Sequence, residues 1–83
     1  MQVLLTPEAQ AEFEHLPIVV RARVLGIFER LRGWPAVSGA KPLAGSWAGH
    51  YRIRTGDWRV VFRVVSPRVV VVRIKHRSEV YED

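Results

Sequence analysis

The residues of this sequence that are best suited to chemistry are its basic side chains, most of which lie in the second half. Residues 1–40 hold four arginines and four glutamates, whose charges cancel. Residues 41–83 hold nine basic and four acidic residues, which accounts for the whole net charge of +5. Arginine, which makes up eleven of the thirteen basic residues, binds phosphate and carboxylate groups through a planar fork of donors. Codon bias explains the arginine-to-lysine ratio equally well, but the uneven placement indicates a polyanionic partner, either a nucleic acid or an acidic protein.

Alternating polarity predicts three β-strands, at residues 50–55, 58–65 and 69–76, joined by two short turns. Successive side chains on a strand point to opposite faces of the sheet, so parity sorts them into two sets. One set is apolar and is expected to pack on helices: Tyr51, Ile53, Trp58, Val60, Phe62, Val70, Val72 and Ile74. The other set contains six basic residues and no acidic one: Arg52, Arg54, Arg59, Arg63, Arg73 and Lys75. This assignment requires an unbroken register, since a slip of one residue exchanges the two faces.

A sheet face that carries only positive charge does not assist folding, because like charges on neighbouring strands repel each other. A face that merely contacts solvent would normally mix both signs. A functional surface for a polyanion is therefore the favoured interpretation, and an incidental charged face is the alternative. Phosphate contacts from such a surface would be salt-dependent and largely independent of sequence. Aromatic side chains stack on single-stranded bases, but parity assigns Tyr51 and Trp58 to the core and leaves Tyr81 the better candidate.

The first half of the chain is expected to provide the helices that cover the apolar face. Residues 2–5 form a short strand, and Thr6-Pro7-Glu8 is a helix start with a hydroxyl cap and a proline in the first turn. Pro17 separates this helix from a second one that ends near Gly33. The apolar stripes of the two helices have helical spacing: Ala9, Phe13 and Leu16, then Val20, Val24, Ile27, Phe28 and Leu31.

Residues 33–49 contain many glycines and prolines and predict an ordered loop, held by Trp34 and Trp47 or containing a short helical turn. One strand, a helical hairpin and a three-stranded antiparallel meander make an α+β fold with helices on one face of a single sheet. The length of 83 residues predicts one domain, residues 1–83. The absence of cysteine excludes disulfides and thiolate chemistry, and no apolar run is long enough to span a membrane. We expect a soluble, cytoplasmic domain.

Two segments resemble the conserved motifs of the RelE/ParE toxin superfamily. The first comprises residues 43–62, from Leu43-Ala44-Gly45 through Tyr51-Arg52-Ile53-Arg54 to Phe62, and the second comprises residues 73–81, which end in Arg77-Ser78-Glu79-Val80-Tyr81. The resemblance implies a type II toxin–antitoxin toxin with a RelE-like, microbial-ribonuclease-like fold. It also implies a ribosome-dependent mRNA endoribonuclease that inhibits translation, with a cognate antitoxin and ribosome-bound mRNA as partners. Neither the resemblance nor the residue pattern predicts a metal or another cofactor.

The resemblance also implies roles for individual residues. Arg52, Arg54, Arg59, Lys75, Arg77 and Tyr81 match the basic and terminal tyrosine positions of the family, and we expect Arg63 and Arg73 to bind RNA. In the expected reaction Arg59 and Arg77 stabilise the phosphate, Arg52 and Arg54 position the RNA, and Tyr81 stacks on or orients the nucleotide. Lys75, with a pKa lowered by neighbouring cations, or His76 would handle protons. Arginine stands at two positions where well-studied RelE toxins have lysine, namely Arg52 and Arg54, and a permanently protonated arginine is a poor general base. The identity of the base therefore stays open.

Two other interpretations remain. ParE-like members share the fold and poison DNA gyrase without nuclease chemistry, and the basic residue set with Tyr81 favours the RelE-like alternative over them. A degenerate toxin, or a plain nucleic-acid-binding module, is the third possibility. Toxicity with rapid loss of mRNA, blocked supercoiling with intact mRNA, and harmless expression distinguish the three.

Overall fold

The structure, a computed structural model, describes residues 1–79 and contains two helices and five strands. The strands are β1 (Gln2–Leu5), β2 (Lys41–Pro42), β3 (His50–Thr55), β4 (Trp58–Val65) and β5 (Arg68–His76). The helices are α1 (Pro7–Glu14) and α2 (Ile18–Leu31), and a 3₁₀ turn covers Gly45–Trp47. The α+β fold, the helical hairpin and the three-stranded meander are therefore confirmed. The short strand β2, within the predicted loop, adds a fifth strand that the sequence pattern does not reveal.

The five strands form one mixed sheet in the order β1-β5-β4-β3-β2. The meander β3–β4–β5 is antiparallel, whereas β1 pairs in parallel with the first part of β5. This parallel pair spans only Gln2–Leu5, opposite residues 68–71. The second half of β5 therefore extends beyond β1, and α1 follows immediately where β1 stops.

Thr6 joins β1, α1 and β5. Its hydroxyl accepts a hydrogen bond from the Ala9 N–H at 3.2 Å, which caps α1, and lies 3.2 Å from the Val72 carbonyl, to which it donates. Its backbone N–H donates to the Val71 carbonyl at 3.0 Å. These bonds place α1 beside the part of the β5 edge that β1 does not cover. In this position Glu12 of α1 reaches Arg73 and Lys75 of β5.

Both helices pack on the same face of the sheet and enclose the core. The helical stripes predicted from spacing contribute Ala9, Leu16, Val24, Ile27 and Leu31, which are all buried. The strands contribute Ile53, Val60, Phe62, Val69, Val71 and Ile74. Trp34 packs on the rings of Tyr51 and Phe62, with centroids 4.9 and 5.4 Å away, so one of the two expected tryptophans does hold the long loop to the core.

A β-bulge in β5 makes one part of the predicted face assignment wrong. The register pairs Val61 with Arg73 but Phe62 with Val71, so Val72 is an extra residue with no partner on β4. Parity is therefore reset between the two halves of β5, and Val69 and Val71 enter the core in place of Val70 and Val72. Beyond the bulge the original parity holds, because Ile74 is buried and Arg73 and Lys75 are directed to the opposite face.

Neither helix in the described part of the chain has the length and continuous apolar character required to cross a bilayer.

Candidate nucleic-acid interface

The face of the sheet opposite the helices carries the predicted basic residues in rows that cross three strands. Arg54 of β3 pairs with Arg59 of β4, which in turn pairs with Lys75 of β5. Directly opposite residues on one face of a sheet lie close enough for their side chains to interact. The row Arg54–Arg59–Lys75 therefore places three cations side by side at the end of the sheet nearest the β3–β4 turn.

A cleft opens at this end of the sheet, between the β3–β4 turn and the chain that leaves β5. Its volume is about 130 Å³, and it is lined by Arg54, Gly56, Asp57, Arg59 and Arg77. Gly56 has a φ of +58° in the two-residue turn, a backbone conformation that favours glycine. The tight turn brings Asp57 over the end of β5, and three arginines consequently face one small, concave site.

Asp57 attaches Arg77 to this site in two ways. The backbone N–H of Arg77 donates to the Asp57 carbonyl at 2.7 Å, which continues the alignment of β5 past its last residue. The side chains form an ion pair with an Nε–Oδ1 distance of 3.7 Å, but they are 70% and 62% exposed. Such an exposed pair contributes little to stability, so an anion that enters the cleft can compete for the Arg77 guanidinium.

Lys75 and Arg73 have a different environment, because both contact Glu12 of α1. The Glu12 carboxylate accepts the Ile74 N–H at 2.7 Å and both Nε and one terminal nitrogen of Arg73 at 3.1 Å. It also pairs with Lys75 Nζ at 2.7 Å, and Glu79 pairs with the same Nζ at 3.0 Å. Glu12 can reach these groups because β1 ends before this part of β5 and leaves the strand edge to α1.

The charges in this cluster shift the pKa values of both partners. Burial raises the pKa of Glu12, but hydrogen bonds from Lys75, the Ile74 N–H and Arg73 outweigh that effect and hold the pKa below its ordinary value. Hydrogen bonds from Lys75 to Glu12 and Glu79 raise the pKa of Lys75, against the effect of burial. The expectation that neighbouring cations lower the pKa of Lys75 is therefore wrong, since the nearest charges are carboxylates.

The sequence pattern does not reveal the contact of Glu12 with the basic residues of β5. The basic face was expected to lack acidic neighbours, and no acidic residue does lie on β3, β4 or β5, but Glu12 reaches the edge of β5 from another element. Glu12 lies in α1 beside Phe13, which packs against the core. Nothing in this local pattern indicates a contact with β5. Only the different lengths of β1 and β5 bring it into range.

The remaining predicted site residues lie in several environments. Arg52 is only 7% exposed and is paired in register with Val61, which is fully buried. Arg63 is exposed and paired with His50, further along β4 from the cleft. Tyr81 lies outside the described residues. The roles expected for these residues stay predictions.

The histidines and the aromatic residues follow the parity argument. His76 pairs with Trp58, and the two rings meet edge to face at 5.2 Å on the helix side of the sheet. Its Nδ1 accepts the Ser78 N–H at 3.2 Å and lies 2.8 Å from the Ser78 hydroxyl. Tyr51 and Trp58 pack against the core as expected. Among residues 1–79, no cluster of histidine and acidic side chains is arranged to hold a metal ion.

Comparisons with known proteins agree on one family. A family model described as the ParE toxin of type II toxin–antitoxin system, parDE, matches residues 3–81. Toxin RelE3 from Methanocaldococcus jannaschii is 25% identical, over 99% of this chain and 97% of the relative.

Solved structures show the same fold. A chain of the toxin–antitoxin complex RelBE2 from Mycobacterium tuberculosis superposes with a TM-score of 0.78 and 27% identity, and the match covers 92% of this chain and 96% of that one. The YoeB/ParE toxin from Agrobacterium tumefaciens gives a TM-score of 0.79 at 23% identity, over 92% and 98% of the two chains.

Proposed function

The chain belongs to the ParE toxin family of type II toxin–antitoxin systems, and from this premise we propose that it is a ribosome-dependent mRNA endoribonuclease that inhibits translation. The observation that carries the proposal is the cleft in which Arg54, Arg59 and Arg77 converge. A site lined by three guanidinium groups fits a phosphodiester. The names of the relatives, Toxin RelE3 among them, support the RelE-like side of the family.

The reaction proposed is attack of a ribose 2′-hydroxyl on the adjacent 3′-phosphate of the same strand. The 2′-oxygen forms a bond to phosphorus, the bond to the 5′-oxygen of the next nucleotide breaks, and a cyclic phosphate and a 5′-hydroxyl result. The reaction needs one proton removed from the 2′-hydroxyl and one delivered to the leaving oxygen. It also increases negative charge on the phosphoryl oxygens, and fixed cations aimed at that charge are an effective form of catalysis.

The cleft supplies cations, and arginine cannot accept a proton near neutral pH. Arg59 and Arg77 are assigned to the phosphoryl oxygens, and Arg54, at the exposed side of the cleft, is assigned to the flanking RNA backbone. The raised pKa of Lys75 makes this residue a poor proton acceptor. His76 lies on the helix side of the sheet, so the proposal assigns proton transfer to neither Lys75 nor His76, and Tyr81 keeps the role of stacking on or orienting the nucleotide.

The test is cleavage of ribosome-bound mRNA, read by mapping new 5′ ends after induced expression. Arg59→Gln removes one cation from the cleft and is expected to lower the cleavage rate by about 10²–10³-fold, the cost of losing one preorganised donor. Arg68→Gln is the matched control, because Arg68 is an exposed arginine at the other end of the β4–β5 pair, opposite Val65. Full cleavage by the Arg59→Gln chain would contradict the proposal.

A cognate antitoxin is the proposed protein partner. The similar chain from Mycobacterium tuberculosis was solved in a toxin–antitoxin complex, which supports an equivalent partner here. The net charge of +5 favours an acidic partner. Co-expression with the product of the adjacent reading frame, followed by affinity purification, tests this part. Separate elution of the two proteins would contradict it.

Inhibition of DNA gyrase is the second candidate, because the matching family model is that of the ParE toxin. ParE-like toxins act without nuclease chemistry, so the two candidates give opposite results in two assays. Blocked supercoiling of a plasmid by purified gyrase, with intact mRNA in expressing cells, would establish gyrase inhibition. Intact supercoiling with mapped mRNA cleavage supports the nuclease.

A further inference from the structure

Lys75 occupies a position on the phosphate-binding side of the sheet but does not present its charge there. Lys75 of β5 is paired with Arg59 of β4, which is paired with Arg54 of β3, so the three residues form one row across the sheet. Its ammonium group is nevertheless bound by Glu12 Oε2 at 2.7 Å and by Glu79 Oε2 at 3.0 Å, and its side chain is only 20% exposed. The Glu12 carboxylate is itself 17% exposed and accepts hydrogen bonds from three further nitrogens, namely Nε and one terminal nitrogen of Arg73 and the backbone nitrogen of Ile74.

The two carboxylates hold Lys75 with different strength. Glu79 is 54% exposed and follows Lys75 by four residues in the chain, so solvent screens this pair. Glu12 is fixed by the Ile74 N–H and by the fork of Arg73, and it offers Lys75 a charge-assisted hydrogen bond away from bulk water. An approaching phosphate can replace Glu79 at low cost, but it has to break the Glu12 contact to reach Lys75.

We propose that Glu12 is an internal counter-anion that withholds Lys75 from nucleic-acid phosphates and so confines phosphate binding to the cleft of Arg54, Arg59 and Arg77. The proposal rests on the proposed use of that cleft for a phosphodiester. Glu12 is then a specificity-determining residue that does not itself contact the nucleic acid. The surface that binds the nucleic-acid backbone is smaller than the row Arg54–Arg59–Lys75, because Lys75 does not take part. Removal of the Glu12 charge should add Lys75 to that surface.

The salt dependence of oligonucleotide binding measures the number of phosphate contacts. The probe is a single-stranded dT12 oligonucleotide, which lacks the 2′-hydroxyl and therefore binds without being cleaved. For single strands the slope of log K against log salt concentration is about −0.7 for each phosphate contact. Glu12→Gln is expected to make the slope steeper by at least about 0.7, the value for one added cation at Lys75, and by up to about 1.4 if the released Arg73 also binds phosphate.

Glu29→Gln is the matched control, because it removes the same charge from an exposed pair between Glu29 of α2 and Arg32, which follows α2, and changes the net charge equally. Its slope should equal that of the unaltered chain. The double variant Glu12→Gln with Lys75→Gln should lose the part of the added slope that Lys75 supplies and keep only what the released Arg73 adds. Equal slopes for Glu12→Gln and Glu29→Gln, or a steeper slope that loss of Lys75 leaves undiminished, would overturn the proposal.

A measurement on the unaltered chain does not depend on the folding of any variant. Side-chain ¹⁵N NMR should show that dT12 shifts the Nε signals of Arg59 and Arg77 and leaves the Lys75 Nζ signal unchanged. A shift of Lys75 equal to theirs would refute the counter-anion role. The outcome is separable from the proposed nuclease: absence of mRNA cleavage with the expected slopes refutes only the nuclease, and cleavage with equal slopes refutes only the counter-anion.

Discussion

Replacement of Glu12 by glutamine should destabilise the protein measurably, because the carboxylate joins α1 to the part of β5 that β1 does not cover. Its partners are the Ile74 N–H at 2.7 Å, the Arg73 guanidinium at 3.1 Å and the Lys75 ammonium at 2.7 Å. Glutamine has nearly the same shape and retains one acceptor oxygen. The substitution therefore tests the charge and leaves the packing of α1 unchanged.

The expected magnitude follows from these contacts. A hydrogen bond to a charged group contributes about 1.5–3 kcal/mol and a neutral one about 1 kcal/mol. Lys75 and Arg73 are 20% and 35% exposed, so solvent screens part of the charge effect. We therefore expect Glu12→Gln to lower the free energy of unfolding at neutral pH by about 2 kcal/mol. For a domain of this length the loss corresponds to a decrease in Tm of about 10 °C.

The assay is thermal unfolding followed by circular dichroism between pH 7 and pH 2. The pKa of Glu12 is lower in the folded state than in the unfolded chain, so its stabilisation is complete above the unfolded-state pKa. The difference in stability between the unaltered chain and the Glu12→Gln chain should shrink below about pH 4, where Glu12 of the unfolded chain takes up a proton. It should vanish once the pH falls below the folded-state pKa.

The control is again Glu29→Gln, whose exposed pair with Arg32 should contribute at most about 1 kcal/mol. Equal Tm values for the Glu12→Gln chain and the unaltered protein at pH 7 would refute the inference that the Glu12 carboxylate holds β5. A difference that persists undiminished at pH 2 would show that the effect comes from packing and not from ionisation.

Three further substitutions test the fold that positions the cleft. Phe62→Ala should cost about 3–5 kcal/mol in chemical denaturation, because the ring is fully buried against Trp34 and Tyr51, and a cost below 1 kcal/mol would contradict this packing. Thr6→Ala should cost about 1–2 kcal/mol, since it removes the cap of α1 and the bond to Val72, and Thr6→Ser should recover most of the loss. Gly56→Ala should destabilise the β3–β4 turn by about 1 kcal/mol because of the positive φ, and an unchanged denaturation midpoint would argue against this turn geometry.

Much of the architecture follows from local patterns in the sequence. Helical spacing, the Thr6-Pro7 start and the Pro17 break predict both helices, and alternation predicts β3 and β4 at the bounds that the structure shows. These signals are local, because a period of 3.6 or 2 residues is set by backbone geometry alone. The concentration of positive charge on one sheet face, and the packing of Tyr51 and Trp58 against the core on the other, follow from the same alternation.

The tertiary structure decided the features that depend on more than one element. The bulge at Val72 reverses the faces of Val69–Val72 and is invisible in a run of four identical valines, where no polar residue marks the register. The convergence of Arg77 with Arg54 and Arg59 requires the β3–β4 turn to meet the end of β5. The contact between Glu12 and Lys75 joins residues far apart in the chain and exists because β1 stops before β5 does. Sequence determined which side chains share a face of β3 and β4, whereas the unequal lengths of β1 and β5 determined which basic side chains a carboxylate from α1 neutralises.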